Sequence, residues 1–431
     1  MFNSTDSSLS KEYTYQLQAR CDSGALLPLR PSSAESTQGY NLPNRYSFGN
    51  ISPSLNNNGN LAFKVLGPWH QAIWYGGDRT GRLVYIAPKS ALLSKVSLNN
   101  QECLVWEQLR SPRNGIWHYD AATNASTQLT TSPLGSCGWA GATLNDRGWV
   151  GFRAKFADAY GLACYHPTPS PATSTLALMG NLDASSIYSF LFLPSFNNQG
   201  QIAAKVRLGQ PGDIGDERPD QIRIFSPDGD SKLIEVNRNY DPDSPYQSFD
   251  NSIGFNDKEQ IAFIATLSSG QRGVFRFDPG GTKAMLKPSG SAPPTAVCSW
   301  LIALEGSGQI SRLERFPPKL NNNGLIVFRA FDNNGLRAIW VGDGVTLHKV
   351  VCEGDILPTD IGTLKLARPD NGAVFIGAPD LNDQGDIVFA ASLSDPQDAR
   401  IGYGAGLFVA RATPIEPVQL ARNAFVDSQQ N

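Results

Sequence analysis

A short phrase is spoken seven times along this chain, and it constrains the fold more than any other feature. An apolar residue is followed by Asn, two residues, usually Gly, and then an apolar stretch that ends near an aromatic side chain. It runs from Leu55 to Phe63, Leu98 to Trp106, Leu144 to Phe152, Phe196 to Ala204, Phe255 to Phe263, Leu320 to Phe328 and Leu381 to Phe389. Self-similarity on this scale means that each unit cannot bury its own apolar faces and needs its neighbours. The motif residues Asn56, Asn99, Asn145, Asn197, Asn256, Asn321 and Asn382 are 43, 46, 52, 59, 65 and 61 positions apart, so the later units carry insertions.

Within the phrase, Asn-Asn/Asp-x-Gly suits a tight connection built on a type I turn, because Asn and Asp bond their own backbone and Gly accepts positive φ. Glu102 and Glu259 replace Gly in two units, so those turns should be strained or use another geometry. The segment after the turn alternates with apolar residues on both faces, as in a strand held between two sheets. A second strand follows, such as Ala72 to Tyr75 or Ala338 to Val341, and then a weaker outer one, such as Leu83 to Ile86. With the strand before each Asn, every unit has four antiparallel strands. Seven such units predict an all-β, seven-bladed β-propeller of four-stranded blades. The expected division is an N-terminal tail over 1–11, one propeller domain over 12–420 and a C-terminal tail over 421–431. Tyr13 to Arg20 reads as a strand that closes the ring on the last blade.

The pattern N-x-x-G-x-x-A-F resembles a tandem-repeat family of bacterial proteins named for that motif. The match covers Leu55 to Phe389 and is clean at Asn56, Gly59, Ala62 and Phe63; Trp106, Gly151, Ala204, Val327 and Val388 depart from it. The resemblance implies a propeller and no chemistry. Members often carry sorting anchors, and none is visible here.

Composition narrows the function classes. The 431 residues include 36 Lys and Arg against 39 Asp and Glu, a formal charge of −3 with no block of either sign. That is no footprint for nucleic acid, which needs a basic stripe to displace counterions. The start is polar, and no apolar run is long enough to cross a bilayer, so a cytoplasmic, monomeric protein without membrane contact is expected. The six cysteines have no metal-ligand spacing and read as free thiols. No G-x-S-x-G, H-E-x-x-H or G-x-x-x-x-G-K-[ST] motif occurs. Asp241-Pro-Asp243 resembles the start of a calcium loop, but Tyr246 and Ser252 stand where Gly and Glu are needed. No metal or cofactor is expected.

Candidate binding residues come from two sources. The position after the phrase aromatic holds Lys64, Glu107, Arg153, Lys205, Ile264, Arg329 and Ala390, so four of seven equivalent places are cationic. Their stems can cover apolar surface while the charges reach water, or Lys64, Arg153, Lys205 and Arg329 can form a ring that gathers an anion. The connecting loops add Trp69 and His70 in one unit, Arg110 and Arg113 in the next, and Trp300 in the long insertion 289–317, which is expected to lie over the axis as a lid. The reading is a binding protein that offers one face to a protein, a peptide or a small anionic molecule. The alternative is an enzyme with its site at the axial mouth beneath that insertion.

Overall fold

The computed structural model describes residues 11–22, 38–49, 52–111, 113–130, 141–156, 159–167, 175–182, 185–280, 299–370 and 372–414. Seven antiparallel sheets, one per phrase, form a seven-bladed β-propeller. In blade 1, strand A is split into Ser47–Phe48 and Ser54–Leu55, and strands B, C and D are Asn60–Leu66, Gln71–Gly77 and Thr80–Ile86. Both pieces of strand A pair with strand B, at its two ends. Strand A lies innermost, at the end of the strand order away from strand D.

Strand B is buried on both faces because alternate residues enter different inter-blade gaps. Leu61, Phe63 and Val65 pack with Val388, Leu407 and Val409 of blade 7, whereas Ala62 packs with Leu93, Leu98 and Trp106 of blade 2. The same arrangement recurs around the ring, giving one apolar cluster for each gap. Phe63, Phe152, Phe263, Phe328 and Phe389 are all at most 1% exposed. Gly151 departs from the usual Ala for a local reason. A Cβ there would stand 2.5 Å from the ring of Phe196, the bulky residue that blade 4 places where most units have Leu.

The ring closes as the sequence suggests. Lys11–Arg20 supplies strand D of blade 7 by pairing with strand C, Gly402–Pro414, with Tyr13 opposite Ala412 and Tyr15 opposite Ala410. This last blade is thus knitted from both ends of the described chain, and strand C is covered by Lys11–Arg20 as its outer neighbour. A hairpin of Ile356–Thr359 and Gly362–Leu366 precedes strand A of blade 7 and runs beside its strand B. Asp360 at the hairpin tip receives the fully buried Arg20 through two bonds, Nε to Oδ1 at 2.8 Å and Nη2 to Oδ2 at 2.9 Å.

The strand order assigns each connection to a face. The A–B turns carrying the phrase and the C–D turns lie on one, the turn face. The B–C and D–A connections lie on the other, the connection face. One expectation is corrected here. Ser299–Leu304 is the outer strand D of blade 5, and Ile310–Leu313 and Lys319–Leu320 are strand A of blade 6. The part of the 289–317 insertion that the structure describes therefore builds two blades and forms no lid; residues 289–298 lie outside the described residues.

Candidate functional site

At the turn face the seven motif Asn residues form a closed belt. The Oδ1 of Asn56 accepts the N–H of Asn58 at 3.1 Å and of Asn60 at 2.9 Å, which fixes its own turn. Its Nδ2 donates to the carbonyl of Asn99 in the next blade at 3.0 Å. Asn99, Asn145, Asn197, Asn256, Asn321 and Asn382 repeat the second bond at 2.8–3.4 Å, and the last reaches Asn56. Aspartate could make the first bond and not the second, because only an amide donates.

The residue after each motif Asn forms a second belt. Every backbone N–H, from Asn57 through Asn100, Asp146, Asn198, Asp257, Asn322 and Asp383, donates to Oδ1 of its successor at 2.7–2.9 Å. Amide and carboxylate alternate, so that Asp146, Asp257 and Asp383 each accept through Oδ2 from the two flanking amides at 2.9–3.1 Å. An odd ring cannot alternate throughout, and the mismatch falls at Asn57 beside Asn100. The belts line a cavity of about 180 Å³ on the axis, to which every blade gives three residues. This cavity opens at the turn face, opposite the face where the sequence places a site.

The turn glycines have the expected positive φ, 80° at Gly59 and 88° at Gly385. Glu102 and Glu259 keep the same turn at φ 60° and 56°. Each offsets the strain by reaching back to the preceding blade. Glu102 accepts from Asn60 Nδ2 at 2.8 Å and Tyr75 Oη at 2.9 Å, and Glu259 accepts from Gln201 Nε2 at 2.9 Å and Lys232 Nζ at 3.2 Å.

The four cations that follow the phrase aromatic occupy four separate gaps. Lys64 Nζ donates to the carbonyl of Leu93 in blade 2 at 3.0 Å, and burial pushes it down to about 8. Arg153 Nη1 donates to Leu191 in blade 4 at 2.7 Å and lies over the rings of Tyr160 and Phe190. Lys205 Nζ donates to Phe249 in blade 5 at 2.9 Å and meets Asp220 at 3.0 Å. Arg329 reaches the carbonyls of Phe375 and Gly377 in blade 7 and pairs with Glu314 at 2.7 Å. Each side chain thus ties strand B of its blade to strand A of the next, and the four do not meet in one cleft.

The loop candidates behave differently. Trp69 is 71% exposed, with Lys89 Nζ 6.0 Å from its ring. His70 Nε2 is 2.5 Å from Tyr46 Oη, which fixes the loop against the segment entering blade 1. Arg110 and Arg113 are exposed in the B–C connection of blade 2, beside the D–A connection that carries Lys89. Trp300 is elsewhere, 40% exposed on strand D of blade 5 at the outer rim. His118, His166 and His348 belong to blades 2, 3 and 6 and do not converge. Among the described residues no cluster of His, Cys, Asp or Glu is placed to hold a metal, and Cys21, Cys103, Cys164 and Cys352 are free thiols.

Sequence reasoning missed three features. The alternation of Asn and Asp was legible by stacking the phrases. Glu235, pushed by burial up to about 7 where Ser299 Oγ donates to it at 2.5 Å, lies between blades 4 and 5 and no motif flags it. The ion pair of Lys319 and Asp380, 3.9 Å apart on the innermost strands of blades 6 and 7, forms only through the fold.

No family model matches the chain, so the family resemblance rests on the motif alone. No curated protein matches it either. Among solved structures, the chain is similar to an oligogalacturonate lyase from Vibrio parahaemolyticus at 10% identity, covering 93% of this chain and 97% of that one with a TM-score of 0.49. It is similar to TolB from Acinetobacter baumannii at 12% identity and a TM-score of 0.43, covering 67% of this chain and 62% of TolB. An acylaminoacyl peptidase from Pyrococcus horikoshii matches at 10% identity and a TM-score of 0.45, over 88% of this chain and 55% of the peptidase. Likenesses this distant assign no activity.

Proposed function

We propose that this propeller is a binding protein whose connection face receives an acidic segment of a protein or peptide at blades 1 and 2. The observation that carries this reading is Trp69, 71% exposed with Lys89 Nζ 6.0 Å from its ring. Exposed Arg45, Lys89, Arg110 and Arg113 stand on the segments about it, 38–49, 67–70, 86–96 and 110–114, whose described residues include no carboxylate. An exposed indole with an ammonium 6.0 Å from its ring, and guanidinium groups on neighbouring connections, offers apolar area and charged donors on one face, residue types that anchor interfaces. The face as a whole has the same character. Of thirteen exposed large apolar side chains among the described residues, nine lie at its connections, including Ile187, Ile214, Tyr240 and Ile356.

The test is fluorescence anisotropy with a labelled oligoglutamate peptide and an oligolysine control at low salt. The expected result is binding of the acidic peptide alone, weakened about tenfold or more, or ~1.4 kcal/mol, in Trp69→Ala/Arg113→Ala. Equal binding of both peptides, or an unchanged affinity in the double variant, overturns the reading.

A further inference from the structure

The connections of blade 4 share a face with the Trp69 loop and carry the opposite charge. Strand B of this blade, Ile202–Leu208, leads through 209–219 to strand C, Asp220–Phe225, and strand D, Ser231–Val236, leads through 237–245 to blade 5. Asp213, Asp216, Glu217, Asp241 and Asp243 lie on these two connections against two cations, Arg218 and Arg238. Arg218 is already paired with Asp213. Apolar side chains stand among the carboxylates, with Ile214 63%, Ile187 61% and Tyr240 49% exposed.

Hydrogen bonds hold these segments to one another. The N–H of Gly209 donates to the carbonyl of Ile187 at 3.1 Å and that of Gly212 to the carbonyl of Ser189 at 2.9 Å. Asn239 Nδ2 donates to the carbonyls of Asp216 and Arg218, each at 3.2 Å, which ties the two connections together. Arg207, 4% exposed, grips Asp220 through two bonds of 2.7 and 3.0 Å and also donates to the carbonyl of Ile214. Its guanidinium thus holds the loop backbone while the Ile214 side chain faces solvent. A surface fixed in this way loses little freedom when it is covered.

We propose that the protein pairs with a second copy of itself, the Trp69 surface of each protomer receiving the Ile214 surface of the other. The inference rests on the reading of the Trp69 surface given above and names its acidic partner, in place of the monomer expected from sequence. Each surface supplies what the other needs. Exposed Arg45, Lys89, Arg110 and Arg113 surround an indole on one, and carboxylates surround Ile187, Ile214 and Tyr240 on the other. Both are built from B–C and D–A connections, so they stand at similar distances from the propeller axis. Two patches so placed are exchanged by a two-fold axis that lies in the face and bisects the angle between them. Copies related by that axis meet face to face with both contacts made at once, an isologous interface that closes at two protomers.

The experiment is sedimentation velocity of the full chain over a concentration series at low and at high salt. The expected result is a dimer at low salt that dissociates as salt screens the exposed charges. Arg110→Glu/Arg113→Glu and Glu217→Arg/Asp243→Arg should each weaken pairing tenfold or more. An equimolar mixture of the two variants should recover the dimer, because the reversed surfaces then face each other and so do the native ones. A wild type that stays monomeric, a dimer that neither charge reversal weakens, or a mixture that does not recover overturns the proposal. Oligoglutamate binding to Glu217→Arg/Asp243→Arg, whose Trp69 surface is intact, separates the two readings. Binding of that peptide by a protein that does not pair overturns the pairing alone, and no binding of it overturns the reading of the Trp69 surface as well.

Discussion

Asn382 Nδ2 donates to the backbone carbonyl of Asn56 at 3.2 Å, joining the last phrase of the chain to the first. The two residues are 326 positions apart, yet they make the same bond as six neighbouring pairs. Ring closure therefore has two independent seams, this amide belt at the axis and the Lys11–Arg20 strand at the rim. The motif Asn is kept as Asn in all seven units because its oxygen holds the turn while its nitrogen holds the next blade.

Asn321→Asp should destabilise the protein by about 2–4 kcal/mol, more than a surface exchange of the same kind. The new carboxylate would face the carbonyl of Asn382, to which Asn321 Nδ2 now donates at 2.9 Å. Urea unfolding of the two proteins measures the difference. A loss below about 0.5 kcal/mol, the range of ordinary surface substitutions, would remove the belt from the account of stability.

Glu102 holds positive φ at a cost of about 1–2 kcal/mol and recovers it through Asn60 and Tyr75. Glu102→Ala keeps the strain and loses both bonds, so it should cost about 2 kcal/mol, while Glu102→Gly relieves the strain and should cost less. Melting temperatures in the order wild type, Gly, Ala are expected. Alanine at or above glycine would contradict the argument.

Arg329 is 1% exposed and pairs with Glu314 while bonding two carbonyls of blade 7. Arg329→Met should cost about 3 kcal/mol by leaving those buried acceptors unpaired, and adding Glu314→Gln should recover part of the loss. Equilibrium unfolding of the single and double variants checks this. No recovery would mean that Glu314 is satisfied without Arg329.

Glu235 gives the stability a pH dependence of known sign. Burial raises its folded-state value to about 7 from an ordinary 4.5, so the protonated form favours the native state. Its contribution is fully present below pH 4.5 and is lost as the pH rises to about 7. Glu235→Gln, which cannot ionise, should gain in melting temperature relative to the wild type across that window. A difference between the two proteins that stays flat with pH would show that Glu235 is not buried as described.

The repeat made the blade count legible, because seven phrases with turn chemistry at fixed offsets admit few architectures. Burial of Phe63 and its equivalents and positive φ at Gly59 followed from the same pattern. The destinations of Lys64, Arg153, Lys205 and Arg329 did not. Equivalent positions in a ring share a level, but strand B turns these side chains toward the next blade and away from the axis. The pairing of Lys319 with Asp380 was not legible either: both lie two positions before their motif Asn, where most other units have Ser or Thr, and strand A of adjacent blades brings them to 3.9 Å. The described part of the 289–317 insertion forms no lid because an insertion between phrases also has to supply strand D of one blade and strand A of the next.

The most direct test of the binding reading is to locate an acidic probe on the protein. Hydrogen–deuterium exchange of the full chain, with and without saturating oligoglutamate peptide, reports this residue range by residue range. The account predicts protection in 67–70, 86–93 and 110–116, with the turn segments 56–60 and 382–386 unchanged. Protection confined to the turn segments, or none in the Trp69 loop when the peptide is bound, would contradict it.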